Sequence, residues 1–278
     1  MTLGDDLPLF FKSLNMTSIK SIWFYRDFIL GSVKREFRAK FQNSVLGVFW
    51  VLLNPLAMIF VYTVVFSHLM KAKLPNVTGP FSYSIYLCIG ILSWSLFSEI
   101  TSRALNLFLD NANLLKKIHF PKICLPIIVV LNAWINFAII FTLFVVFLKL
   151  TGNFPGKIFL AVIPILLIMS LFALALGLGL GILNVFYRDI GQVYTVFLQF
   201  WFWLTPIVYS IDILPPKVQM LLQFNPMTPL ISALHKIAVY RQLPAWESLL
   251  IPLIVSLLLA WWALGLFKRH QHDLMDEL

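Results

Sequence analysis

Apolar residues run along this chain in long, unbroken blocks separated by short polar stretches. Six blocks of about 20 residues or more, the length that crosses a hydrocarbon core, lie near 46–68, 84–104, 124–148, 158–184, 193–213 and 248–267. Ahead of the first block the pattern changes. Ile29, Val33, Phe37 and Phe41 recur every four residues, which puts them on one helix face. Lys34, Arg35, Arg38 and Lys40 lie largely off that stripe, and Glu36 stands four residues before Lys40, the favourable order for a helical ion pair. Gly31 is where this helix is expected to break in two. Such a helix lies in the membrane interface, apolar face inward and basic face toward lipid phosphates. It reads either as a surface anchor or as the receiver of an anionic substrate.

The connections differ in kind. Residues 105–121 are helical in pattern, with Leu105, Phe108, Leu109, Leu115 and Ile118 apolar and Asp110, Lys116 and Lys117 polar; Pro121 ends them. The stretch from Asp212 to Glu247 predicts two short amphipathic helices parted by the breaker Asn225-Pro226-Met227-Thr228-Pro229. Neither is long enough to span. Both are expected to dip into the membrane and return, which is tolerated where protein or a water cavity covers the backbone.

Composition agrees. The chain is 60% hydrophobic and 12% charged, against about 45–50% and about 25% in soluble domains. The fold class is therefore all-α integral membrane: six transmembrane helices, an amphipathic interfacial helix before them, and two short re-entrant helices between spans five and six. One transmembrane domain fills residues 1–278. Residues 1–45 form a cytoplasmic tail and the interfacial helix, 46–267 the six-span bundle, and 268–278 a second cytoplasmic tail. No cleavable signal is visible around Asp5 and Asp6, so the first span is expected to act as its own targeting signal. The net charge of +9 points to topology and anionic lipid. With both termini cytoplasmic, 14 of the 21 Lys and Arg fall on the inner side and 7 on the outer, as the positive-inside rule requires.

Signals for chemistry are sparse. The five histidines do not meet carboxylates at ligand spacing, so no metal site is expected. Gly156-Lys157 is followed by Ile158 and lacks the rest of a phosphate-binding loop. Cys88 and Cys124 read as buried thiols. Ala173, Gly177 and Gly181 form a small-residue stripe for close helix packing. Glu99 and Arg103, four apart, are expected to pair near the inner end of the second span. Without further mid-span carboxylates, an ion-coupled carrier is disfavoured. Asp110 and Asp189 are too isolated to support the alternative of a membrane enzyme acting on lipid-linked sugars. Aromatic residues are abundant, and Trp201 and Trp203 fall toward mid-span ahead of Thr205 and Pro206, where rings can stack on sugar faces.

The basic helix runs into SVLGVFWVLLNPL (Ser44–Leu56). Further along come FYRDI (Phe186–Ile190), TPIVYSIDILP (Thr205–Pro215) and FNPMTPLI (Phe224–Ile231). Together these resemble the membrane subunits of type-2 ABC exporters of polysaccharides, the O-antigen, capsule and teichoic-acid permeases, over nearly the whole chain from about residue 20. The resemblance implies a non-enzymatic permease subunit in a bacterial inner membrane, most simply for O-antigen. It implies a second copy of itself and two copies of a separate ATPase subunit, which would hold the ATP and Mg2+; this chain holds no cofactor. It implies a glycan on a polyprenyl pyrophosphate as substrate and no nucleic acid. Carried onto this sequence, Arg35, Arg38 and Lys40 on a gate helix would meet the lipid phosphate. Phe49, Tyr62, Trp201, Trp203 and Tyr209 would line the conduit. Asp110, Lys116 and Lys117 would couple to the ATPase, and Arg188 and Asp189 would hold the inner turn.

Overall fold

A computed structural model of the chain describes residue 23, residues 25–41, 81–117, 124–270 and 273–277, and the single residues 53, 57, 60, 61 and 64. Every regular element among the described residues is helical. In chain order the α-helices are α1 (Arg26–Phe41), α2 (Ser82–Asp110), α3 (Ala112–Lys117), α4 (Cys124–Leu150), α5 (Val162–Phe186), α6 (Asp189–Trp203), α7 (Pro216–Gln223), α8 (Met227–Ala238), α9 (Leu250–His270) and α10 (Asp273–Glu277).

Among the described residues, four helices are long and apolar enough to cross a membrane: α2, α4, α5 with the 3-10 turn before it, and α9 with the 3-10 turn before it. They match the second, third, fourth and sixth predicted spans. The first predicted span falls almost wholly outside the described residues. The fifth, expected over 193–213, is a helix over 189–203 instead. Fifteen residues reach about 22 Å, short of a hydrocarbon core of about 30 Å. The helix stops because Pro206 brings no backbone N–H and crowds the turn before it.

The centre of the fold is α2, the most buried of the four long helices. Along it lies α5, whose other side carries α9. The small-residue stripe makes the α2–α5 contact. A methyl group added at Gly177 would stand 2.6 Å from Ala104 Cβ and 2.7 Å from the Thr101 carbonyl oxygen; one added at Gly181 would stand 2.6 Å from the Ala104 carbonyl oxygen. Gly179 faces the other way, where a Cβ would fall 2.1 Å from the Trp262 ring of α9. So the glycines let two neighbours approach one helix at backbone distance. Above them Phe97, Phe172 and Trp201 close the core.

Three expectations change. The basic helix α1 runs unbroken through Gly31. The 105–121 segment is two helices, divided at Asn111, whose side-chain amide donates to the Leu107 carbonyl (2.9 Å). The second tail is not simply polar: Leu274 of α10 is fully buried among Leu107, Phe108, Leu125, Ile182 and Val185 at the inner ends of α2, α4 and α5.

The two kinds of glycine respond oppositely to alanine. Gly181→Ala forces a methyl onto a backbone carbonyl that cannot move aside, and overpacking of this kind costs about 1–3 kcal/mol or more. It is expected to lower the yield of monodisperse protein and its melting temperature in detergent. Among the described residues, Gly31→Ala meets nothing closer than the Arg35 guanidinium at 3.5 Å, and a helix interior gains about 0.5–1 kcal/mol from that change. Its melting temperature is expected to be equal or higher.

Candidate functional site

Two polar clusters sit at opposite ends of α2, named inner (the Arg103 end) and outer (the Tyr83 end) after the topology expected from the sequence. The inner one begins with α1, whose Ile29 and Val33 are buried against Cys124 and Ile128 of α4. The Ile29 and Val33 part of the predicted apolar stripe thus meets protein. This contact fixes which way the rest of α1 faces. Arg35 and Arg38 are exposed, and Arg35 donates to Ser32 Oγ (2.8 Å) within the helix. Glu36 turns toward the spans.

Its partners are not local. Glu36 takes a hydrogen bond and ion pair from Arg103 of α2 on one oxygen and a hydrogen bond from the Asn132 amide of α4 on the other. Arg103 lies 67 residues along the chain from Glu36; the side chain of Lys40, the expected partner, lies outside the described residues. Arg103 also pairs with Glu99 (3.1 Å), as its spacing predicts. Asn136, one turn from Asn132, donates to Glu99 (2.7 Å). Five side chains from three helices form one network, with one guanidinium held between two carboxylates. Its depth follows from helix geometry: Arg103 stands 21 residues beyond Ser82, about 32 Å along α2. That length is comparable with a hydrocarbon core about 30 Å thick.

The outer cluster receives the chain where α6 ends. From Leu204 to Pro215 the backbone is mostly irregular, and its carbonyls need donors. Tyr83 of α2 donates to the Val208 carbonyl (2.6 Å), and Tyr86, one turn on, donates to the Tyr209 carbonyl (2.7 Å). Tyr86 also stacks on His235 of α8, centroids 3.5 Å apart, and its own carbonyl lies 3.1 Å from His235 Nε2. Next to them the Tyr240 phenol is held above its usual range, first by burial and then by the Asp212 carboxylate.

Asn225, between α7 and α8, ties this segment to α6. Its oxygen accepts from the Trp201 indole (2.9 Å) and the Met227 backbone N–H (3.0 Å). Its amide donates to the Leu204 carbonyl (3.1 Å) and Thr205 Oγ1 (2.9 Å). The sequence marks Asn225 only as a breaker, yet its side chain uses its full hydrogen-bonding capacity. Tyr83, Tyr86 and His235 were likewise unread; two tyrosines three apart at the outer end of a span were the available signal.

The remaining predicted residues are spread out. Trp201 is buried and packs edge-on against Trp94 and Phe97, with centroids 6.1 Å and 5.3 Å away. Trp203 is 63% exposed, and its carbonyl accepts from the half-exposed Tyr209 (2.9 Å). Val193, Val196, Phe197, Phe200, Trp203 and Leu204 give α6 a continuous exposed apolar face. Asp110 and Lys116 are exposed at the α2–α3 corner. Arg188 and Asp189 are exposed where α6 begins. The inner turn is held beside them by buried Asn184, whose oxygen accepts from the Gly191 N–H (2.9 Å). Phe49 and Tyr62 lie outside the described residues, as do the side chains of Lys40 and Lys117. Among the described residues, no three His, Cys, Asp or Glu gather as a metal site.

Comparison with known proteins places this architecture among transporters. The ABC-2 type transporter family profile matches residues 29–239. The O-antigen export system permease protein RfbA of Myxococcus xanthus is 28% identical over 262 residues, 94% of this chain and 98% of that protein. A protein of the same name from Klebsiella pneumoniae is 25% identical over 253 residues, 91% of this chain and 95% of its own length. The polysialic acid transport protein KpsM of Escherichia coli is 18% identical over 244 residues, 87% of this chain and 93% of that one.

The outer cluster makes a direct prediction. Tyr86→Phe keeps the ring on His235 but leaves the Tyr209 carbonyl without this donor. A buried polar group left unpaired costs about 1–3 kcal/mol. The variant is expected to melt several degrees lower in detergent, with yield retained; an unchanged melting curve would show that the carbonyl finds water instead.

Proposed function

The chain belongs to the ABC-2 type transporter family, and we propose that within it the chain is the permease subunit of an ATP-driven exporter of a lipid-linked polysaccharide, an O-antigen in the first place. The observation that carries this reading is the end-to-end likeness to O-antigen export permeases from two organisms. The more distant likeness to a polysialic acid transport protein supports polysaccharide as the wider substrate class.

In this reading six spans lie in a bacterial inner membrane with both termini cytoplasmic. Residues 46–68 supply the first span, and α6 with the irregular chain after it supplies the fifth. The α7–α8 pair forms the re-entrant outer element. The near-complete burial of α8 and the exposed Met220, Leu221 and Phe224 of α7 support a hairpin seated in its own subunit with one side turned outward. The apolar face of α6 continues that surface. Its fit is to a second copy of the chain across a conduit, with lipid beyond.

The conduit is proposed to be lined by Phe49 and Tyr62 of the first span and by Trp203 and Tyr209. Rings of this kind stack on sugar faces without demanding one sequence of sugars. Trp201, enclosed in its own subunit and bonded to Asn225, backs the wall. Arg35 and Arg38 lie exposed on α1, and Lys40 follows two residues after Arg38 in the sequence. They are placed to take the anionic pyrophosphate end of the lipid, since guanidinium groups match phosphate oxygens in forked, charge-assisted pairs. ATP and Mg2+ belong to a partner ATPase, two copies of which dock at the α2–α3 corner through Asp110, Lys116 and Lys117. Hydrolysis there moves α2. Arg188 and Asp189 start α6 beside the Asn184 turn; the acid suits the positive end of that helix.

ATP-dependent movement of glycan into inside-out vesicles, with the co-expressed ATPase present, tests the reading. Transport that needs only a proton gradient would overturn it. Replacing Arg35 and Arg38 together by Ala removes two charge-assisted contacts of about 1.5–3 kcal/mol each. Export is then expected to fall by about tenfold or more while the ATPase still co-purifies. Normal export in that variant would leave α1 as an anchor.

A further inference from the structure

We infer that the Glu36–Arg103 contact is the joint through which α2 drives the gate helix, so that Glu36 and Arg103 are positioning residues for export. The inference rests on the export reading for its function and on geometry for the joint itself.

Three observations carry it. First, α2 is one unbroken helix of 29 residues, and the elements proposed to move all attach to it. The outer segment hangs from Tyr83 and Tyr86, α1 from Arg103, and the docking corner is its own end at Asp110. Second, α1 has only two polar ties among the described residues that reach other helices, and both are on Glu36. It also packs through Ile29 and Val33 on the start of α4. Apolar contact is non-directional, so it allows rotation and sliding. The forked ties on Glu36 do not, because hydrogen bonds weaken steeply out of line. Third, Glu36 lies between Arg35 and Arg38 in the same two turns. Its tie to the spans sets the angle at which those cations face outward.

Arg103 is kept for this task by its second carboxylate. Glu99 and Asn136 hold the guanidinium from the span side, so a movement of α2 reaches Glu36 through a side chain that is already fixed. Asn132 makes the same connection from α4. When α2 shifts, the Glu36 carboxylate must follow Arg103 or lose it.

The test uses the full chain with its ATPase in lipid nanodiscs. Spin labels are placed at Leu30→Cys on α1 and Leu131→Cys on α4, both exposed positions. Cys88 and Cys124 are buried, and the chain without added cysteines gives their background. The pulsed-EPR distance distribution is expected to be narrow in the parent and broad in Glu36→Gln. Glycan exported per ATP hydrolysed is expected to fall at least about threefold in that variant, with hydrolysis maintained. A general loss of structure would instead lower both together. Arg103→Gln and the double variant complete a cycle, in which members of one contact are expected to be non-additive.

A Glu36→Gln distribution as narrow as the parent's overturns the joint. So does an unchanged ratio of glycan to ATP, a parallel fall of export and hydrolysis, or strict additivity. If the unmutated complex moves no glycan, the export reading fails, and the distance distributions still decide whether Glu36 holds α1.

Discussion

A peptide group inside a membrane must find its hydrogen-bond partner within the protein, and among the described residues the stretch after α6 shows how side chains take over where a helix stops supplying them. Beyond Trp203 the chain runs irregularly for a dozen residues before α7. Its carbonyls are met by phenols from α2, and its junction with α6 is met by the Asn225 amide. Those donors hold only if α2 keeps its place relative to the core around it, which the close contact with α5 ensures. The burial of α8 against both helices then follows, because His235 and Tyr86 must stack for the phenol to aim correctly. The outer end of the molecule is thus a chain of conditions, each fixed by the helix behind it.

The inner end solves a different problem. Charges at a hydrocarbon boundary cost free energy unless they are paired and their remaining hydrogen-bonding positions are filled. Glu36, Arg103 and Glu99 would leave such positions open as ions alone. Asn132 and Asn136, one helical turn apart, fill two of them without adding charge. The cluster keeps a net negative charge beside the cations of α1. That leaves Arg35 and Arg38 available to an outside anion and keeps an anion from settling on Arg103.

Much of the fold is legible in the sequence because its signals are local. Long apolar runs give α2, α4, α5 and α9 to within six residues at each end. The four-residue spacing gives α1, and the small-residue stripe gives a helix contact. Signals that depend on a distant partner are not legible. Glu36 has an adequate partner four residues away, and nothing in the sequence favours Arg103 over it. Asn225 looks like a simple interruption because the groups it ties on α6 and after it are 20 to 24 residues earlier. Apolarity continues past Trp203, so the fifth span reads as longer than the helix that forms. Hydropathy registers side chains, while the helix ends for a reason in the backbone. The turn at Arg188 and Asp189 is similar: the charged pair catches the eye, and the buried Asn184 holds the turn.

The glycines of α5 have a consequence for inheritance. Where two helices touch through side chains, either can drift, since a neighbour absorbs a lost or gained methylene. Where Gly177 and Gly181 lie against the backbone of Ala104, no intervening layer can absorb change. The two stretches, some seventy residues apart, are therefore constrained to vary as a pair. A chimera that draws its second span from one exporter and its fourth from another breaks that pairing at the first added methyl group. The natural unit of exchange in this architecture is a matched couple of helices, and crossover points between 110 and 162 separate what the contact keeps together.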